Sequence, residues 1–178
     1  MVVDPVISWA LSLCLAAYWC TAALSKLREP QRFMQAIAAY RLLPQSVVRP
    51  AAALLPLFEL LLAIFWLLAP VRDIAALASA ALLLLFAVAI AINLARGRSH
   101  IDCGCSMKRK QSISWWLVLR IAVLALLCLG PLIPVTERNL SAPDVLVTLL
   151  VTGFTCITCL LVPMIITNMN NLTRGLRL

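Results

Sequence analysis

The 178-residue chain is poor in charged side chains, which make up 12% of it, against about 25% in a typical soluble domain. It has one histidine and five glycines, and 63% of its residues are hydrophobic. A water-soluble fold of this length would have to expose much of that apolar surface. The composition therefore excludes an ordinary soluble domain and indicates a protein whose solvent is largely lipid.

Acidic residues are also scarce, at seven against fifteen Lys and Arg, so the net charge is +8. In a soluble protein this excess would suggest a nucleic-acid partner. In a membrane protein, basic loops orient the spans, and we expect no nucleic-acid binding. The N-terminal "MVVDPVISW" has no basic residue before the first apolar run. Because a cleavable signal needs such a residue, we expect this run to remain as a transmembrane helix.

Five apolar runs are long enough to cross the hydrocarbon core, which takes about 20 helical residues. Only helices and closed barrels satisfy their backbone in lipid, and these runs are too long for barrel strands. The sequence predicts an all-α integral membrane bundle forming a single domain, with a cysteine-bearing loop at 96–113. The spans lie near residues 6–25, 51–69, 74–95, 114–133 and 145–167.

The distribution of Lys and Arg predicts the orientation of the spans. Twelve of these residues fall in the first loop, the third loop and the C-terminal tail, two fall in the other connections, and Arg120 lies within a span. Cytoplasmic loops carry the excess of basic residues. We therefore expect the N-terminus outside, the C-terminus in the cytoplasm, and the loop at 96–113 on the cytoplasmic side of the inner membrane.

Two charged residues, Glu59 and Arg120, fall within predicted spans. Charges in lipid usually face the bundle interior and pair. At 1.5 Å per residue, Glu59 and Arg120 lie at similar depths from the cytoplasmic side, which favours an ion pair. This pair could be an orientation clamp between two helices, or it could line a polar pocket beneath the cysteine loop with Lys26 as a third member.

The loop "GRSHIDCGCSMKRK" holds Cys103 and Cys105 one glycine apart. A polar loop has no packing need for two thiols, and the glycine lets the backbone bring the sulfurs together. The surrounding basic residues favour thiolates, although Asp102 opposes them. His100 is close enough to accept a proton or to act as a third metal ligand. Thiol–disulfide exchange, metal binding and incidental cysteines all remain open from this pattern.

The remaining cysteines lie within predicted spans. Cys156 and Cys159 form a Cys-x-x-Cys motif, and residues at i and i+3 share a helix face. A redox or metal role competes with simple packing there, since a thiolate is disfavoured in lipid. Cys20 lies at a similar depth and is a candidate relay with this pair. Packing is the default interpretation for Cys14 and Cys128.

A set of short motifs over about residues 10 to 125 resembles the MauE methylamine utilisation proteins, within the wider DoxX-like membrane proteins. Cys103, Cys105, Glu59 and Arg120 fall on matching positions. The resemblance implies a four-helix DoxX-like core plus a C-terminal helix. The motifs are "KL" at 26–27, "YRLLP" at 40–44, "PLFE" at 56–59, "NLARGRSHIDCGC" at 93–105 and "SWWLVLR" at 114–120.

The resemblance further implies a helper in the processing, export or maturation of the disulfide-rich small (beta) subunit of methylamine dehydrogenase. Its expected partners are that subunit, a periplasmic thioredoxin-like protein (MauD-like) and membrane lipid. Disulfides of a periplasmic subunit form outside, whereas the charge pattern places Cys103 and Cys105 inside. Electron import resolves the conflict: the loop takes electrons from a cytosolic thioredoxin and passes them to the external partner.

Three other functions stay open. Cys103, Cys105 and His100 could hold a soft metal ion such as copper, zinc or mercury for binding or transport. The protein could be a non-catalytic scaffold, or, from the DoxX-like kinship, a quinone-linked subunit. The leading interpretation makes it a possible thiol–disulfide oxidoreductase that needs no bound cofactor.

Overall fold

The computed structural model describes residues 4–98, 113–134 and 141–175, with side chains as far as Thr158. All regular structure in these ranges is helical, as the sequence predicts. Four of the helical segments are long and apolar enough to cross a membrane, which makes the chain a multi-pass membrane protein. The α-helices are α1 (Pro5–Arg28), α2 (Pro30–Tyr40), α3 (Gln45–Leu67), α4 (Arg72–Ala95), α5 (Trp115–Cys128) and α6 (Ala142–Gly175).

The residues at the two ends of α1 explain where this helix begins and ends. The Asp4 side chain accepts a hydrogen bond of 2.9 Å from the Val6 backbone N–H, and Pro5 occupies the first turn, where no amide donor is needed. The helix ends at Arg28, and Pro30 starts α2 after the break at Glu29. Lys26 therefore lies one turn before a sharp change of chain direction.

The core is built from α1, α3, α4 and α5. Bulky indoles of Trp19 and Trp66 are almost fully buried, surrounded by small residues that let the helix backbones approach closely. The Trp66 Nε1–H donates to Ser79 Oγ at 2.9 Å and so joins α3 to α4. The buried alanines of this cluster include Ala16, Ala63, Ala75, Ala76, Ala80 and Ala87.

α5 and α6 join the bundle through different neighbours. α5 packs mainly against α4, and α6 packs against α1. Outward-facing leucines and valines on both helices are exposed, as expected for surfaces in contact with lipid. The predicted fifth span at 145–167 falls within α6, but side chains beyond Thr158 lie outside the described residues. The count of five spans and their orientation stay predictions.

The structure differs from the sequence prediction in the first loop. α3 begins at Gln45 and contains Pro50 and Pro56, whereas the sequence predicts a span that starts near residue 51. Residues 30–40, predicted to be loop, form α2. α2 packs against α3 and α4, and it ends at Arg41, which adopts a left-handed conformation with φ of 49°.

Candidate functional site

A buried ion pair joins α1 to α3. The Lys26 ammonium lies 2.5 Å from Glu59 Oε1 and donates to Oε2 at 2.7 Å, so both carboxylate oxygens contact the same nitrogen. The side chains are 4% and 0% exposed, respectively. Two opposite charges at this distance cancel in the low-dielectric interior, and each makes the burial of the other tolerable.

Aromatic rings cover the faces of the ammonium that Glu59 leaves open. Lys26 Nζ lies 5.3 Å from the ring centroid of Phe33 on α2 and 5.7 Å from that of Phe86 on α4. A cation within about 6 Å of a ring centroid is attracted by the negative face of the ring, most strongly where water is excluded. Residues from α1, α2, α3 and α4 thus meet at one buried cation.

A cavity of about 240 Å³ adjoins this cluster. Lys26 supplies one of its walls, and nearly all the rest of the lining is hydrocarbon or aromatic ring. The cavity lies between α2 and the neighbouring halves of α3 and α4. Its lining residues are Lys26, Phe33, Ala36, Ile37, Tyr40, Leu42, Leu43, Ala51, Leu55, Leu85, Phe86, Ala89 and Ile90.

Glu59 is paired with Lys26 and not with Arg120, so the predicted Glu59–Arg120 pair is wrong. Arg120 lies on α5, which packs against α4 and away from α3, and its side chain is exposed. Two residues at the same depth on helices that do not adjoin cannot form a contact. Lys26, included in the sequence analysis as a third member, is the partner.

The candidate loop residues Cys103, Cys105 and His100 lie outside the described residues, as does the side chain of Cys159. In the described ranges, Cys20 on α1 and Cys156 on α6 are partly buried free thiols. Within those ranges no group of three His, Cys, Asp or Glu is arranged to hold a metal ion. The relay and the metal site therefore stay predictions.

Cys128 is fully buried in the α1–α3–α4–α5 core cluster, where its side chain fills space among apolar neighbours. Asn93 is also fully buried, near the end of α4, and its Nδ2 donates to the Ala89 carbonyl at 3.0 Å. Its Oδ1 accepts no hydrogen bond from the residues that the structure describes. Trp115 and Trp116 open α5 with side chains 63% and 75% exposed, a placement that suits indoles at a membrane interface.

Sequence reasoning missed Phe33 and Phe86 as neighbours of the ammonium. For Phe33 a signal existed: Phe33, Ala36, Ile37 and Tyr40 follow the i, i+3, i+4, i+7 spacing of one helix face. For Phe86 no sequence signal distinguishes it from the apolar residues around it in α4.

Comparison with known proteins identifies a family. The family model described as methylamine utilisation protein MauE matches residues 4–133, which include the ion pair and the cysteine loop. No solved structure matches the chain significantly.

Curated relatives agree with the family model, and each bears the name methylamine utilization protein MauE. The one from Paracoccus denitrificans is 45% identical over 129 residues, covering 72% of this chain and 69% of the relative. The one from Paracoccus versutus is 47% identical over 128 residues, covering 71% and 69%. The one from Methylophilus methylotrophus is 41% identical over 128 residues, covering 70% and 67%. The chain belongs to the MauE family of methylamine utilisation proteins.

Proposed function

We propose that this protein is an inner-membrane accessory protein in the maturation of the small subunit of methylamine dehydrogenase. It acts by thiol–disulfide exchange at Cys103 and Cys105. The observation that carries the proposal is the position of this Cys-Gly-Cys loop inside the region matched by the MauE family model. The family name supplies the methylamine pathway, and the paired thiols supply the chemistry.

The exchange is balanced in atoms and electrons. A dithiol of a cytosolic thioredoxin attacks a Cys103–Cys105 disulfide, and a mixed disulfide forms and is displaced. The thioredoxin is oxidised, and the loop gains two electrons and two protons. The loop dithiol then reduces a disulfide formed between Cys156 and Cys159, which takes up the two electrons and two protons, and the loop returns to its own disulfide form. A periplasmic thioredoxin-like partner receives the electrons and uses them to isomerise wrong disulfides in the small subunit.

Cys20, Cys156 and Cys159 are the proposed stations for crossing the membrane. Cys20 lies on α1 and Cys156 on α6, two helices that pack against each other, and both thiols are free and partly accessible. This arrangement supports a relay within one pair of helices. Cys128 takes no part, because it is fully enclosed by the core on another helix.

Replacing both loop thiols tests the proposal. We expect the Cys103→Ser, Cys105→Ser double variant to reach the membrane at normal levels while mature small subunit and methylamine dehydrogenase activity are lost. The readouts are an immunoblot of membranes, a non-reducing gel of the small subunit and the enzyme assay in methylamine-grown cells. The matched control is Cys128→Ala, which removes a thiol and should leave maturation unchanged. Normal maturation in the double variant would exclude thiol chemistry at this loop.

A further inference from the structure

We propose that the cavity beneath α2 is a binding site for an anionic phospholipid. One acyl chain of the lipid fills the cavity, and its headgroup contacts Arg41. The site is separate from the thiol chemistry proposed above and does not depend on it. The lining of the cavity, the side to which it opens and the charge at its mouth all favour this occupant.

The lining is suited to a hydrocarbon chain. Phe33, Ala36, Ile37 and Tyr40 form the apolar stripe of α2, and Ala51, Leu55, Leu85 and Phe86 supply much of the opposite walls. Lys26 is the one charged residue of the lining, and Glu59 already neutralises it. Rings of Phe33 and Phe86 also face the ammonium. The cavity therefore offers no net charge to an occupant, and a void of about 240 Å³ left empty would forfeit packing on every wall.

The cavity borders lipid. Leu43 and Leu85 line it and are 43% and 60% exposed, so this part of the wall reaches the outside of the bundle. Leu85 belongs to a helix long and apolar enough to span a membrane, and the solvent at its surface is hydrocarbon. An occupant consequently enters sideways from the bilayer.

The mouth is positively charged. Arg41 stands between the lining residues Tyr40 and Leu42, and its side chain is exposed. Arg41 has no ion-pair partner among the residues that the structure describes. Basic residues beside a lipid-facing pocket attract anionic headgroups, each by about 1 kcal/mol near the membrane surface. Phosphatidylglycerol is therefore favoured over the zwitterionic phosphatidylethanolamine.

Native mass spectrometry of the full-length protein, released from nanodiscs containing equal amounts of the two lipids, tests the proposal. We expect the wild type to retain one phosphatidylglycerol in preference to phosphatidylethanolamine. The Ala51→Leu, Ala89→Leu variant fills the cavity from α3 and α4 and should lose that lipid. The matched control, Ala53→Leu with Ala81→Leu, adds the same side chains at exposed positions of the same helices and should keep it.

A second variant separates the headgroup from the chain and guards against misfolding. Arg41→Gln alters an exposed side chain outside the core, and it should reduce the preference for phosphatidylglycerol about fivefold while leaving a lipid bound. Circular dichroism checks that each variant is folded. Equal retention of the two lipids by the wild type would overturn the proposal, as would undiminished lipid in a folded cavity-filled variant. A quinone released only from the unfilled cavity would assign the site to a different occupant and also contradict it.

Discussion

At the scale of single residues, the ion pair of Lys26 and Glu59 allows two charged side chains to be buried inside this bundle. Both side chains are almost completely buried, and each carboxylate oxygen contacts the ammonium. Removing one partner from a buried pair leaves the other charge uncompensated, which costs far more than the intact pair contributes. The pair therefore acts as a positional constraint between α1 and α3.

The first prediction concerns that constraint. Lys26→Met should lower the free energy of unfolding by about 3–5 kcal/mol, because the Glu59 carboxylate is then buried without a counter-charge. The measurement is reversible denaturant unfolding in detergent micelles, followed by circular dichroism. Arg120→Gln is the matched control, since it removes a cation that is exposed and on a helix away from Glu59.

Adding Glu59→Leu to Lys26→Met should restore most of the lost stability, because no charge then remains buried. The double-mutant cycle isolates the coupling of the two residues from the loss of each side chain. Additive losses in the double variant would show that the two charges do not depend on each other.

The sequence identified Glu59 and Lys26 as members of a buried polar group but assigned Glu59 the wrong partner. Counting residues from the membrane edge gives the depth of a charge, and Glu59 and Arg120 have similar depths. Depth does not reveal which helices adjoin or which way a side chain faces. Lys26 lies near the predicted loop, yet its long side chain reaches into the bundle, and such a reach has no sequence signal.

At the scale of helices, α2 is the element that the apolar runs of the sequence do not predict. It is an 11-residue amphipathic helix, too short to span a membrane, in a stretch rich in basic residues. Its apolar stripe places Phe33 against Lys26 and encloses the cavity from one side. The helical conformation of α2 thus depends on tertiary contacts, which a sequence pattern of long apolar runs does not reveal.

The second prediction tests the contact between the Phe33 ring of α2 and the Lys26 ammonium. Phe33→Leu keeps an apolar side chain but removes the ring from the ammonium, and we expect a loss of about 2 kcal/mol in the free energy of unfolding. The control is Gln35→Ala, an exposed position on the same helix. Equal stability of the two variants would mean that the ring contributes nothing beyond its bulk.

The third prediction concerns the junction of α3 and α4. Ser79→Ala removes the acceptor of the Trp66 Nε1–H and should cost about 0.6 kcal/mol, the average for hydrogen bonds between membrane helices, and at most about 1.7 kcal/mol. Ser12→Ala is a matched control, because Ser12 is buried but its hydroxyl donates to the Ser8 carbonyl of its own helix. Unfolding in micelles is again the measurement. A larger loss for Ser12→Ala would contradict the role given to the Trp66–Ser79 bond.

At the scale of the whole molecule, composition alone was enough to predict a helical membrane protein, and four helices capable of spanning bear this out. The arrangement of the helices was not predictable in the same way, because apolar runs look alike whichever neighbours they contact. The pairing of α1 with α3, for example, includes the buried contact of Lys26 with Glu59, which only the three-dimensional structure reveals. The candidate thiols came from a loop whose chemistry is visible in sequence alone.

The fourth prediction addresses the span count and orientation. A reporter enzyme that is active only outside the membrane, fused after residue 139, should be active, because the predicted orientation places this point of the sequence on the outer side. The same reporter fused after residue 178 should be inactive, and a cytoplasmic reporter should give the reverse pattern. External activity at both positions would show that α6 does not cross.

The proposed electron import requires that Cys103 and Cys105 lie at the cytoplasmic face. The direct measurement is labelling with an impermeant thiol reagent, in intact cells and in inverted membrane vesicles, of a variant that retains only these two cysteines. We expect labelling in the inverted vesicles and none in intact cells. Labelling in intact cells alone would contradict electron import and would place the loop where exported substrate is oxidised directly.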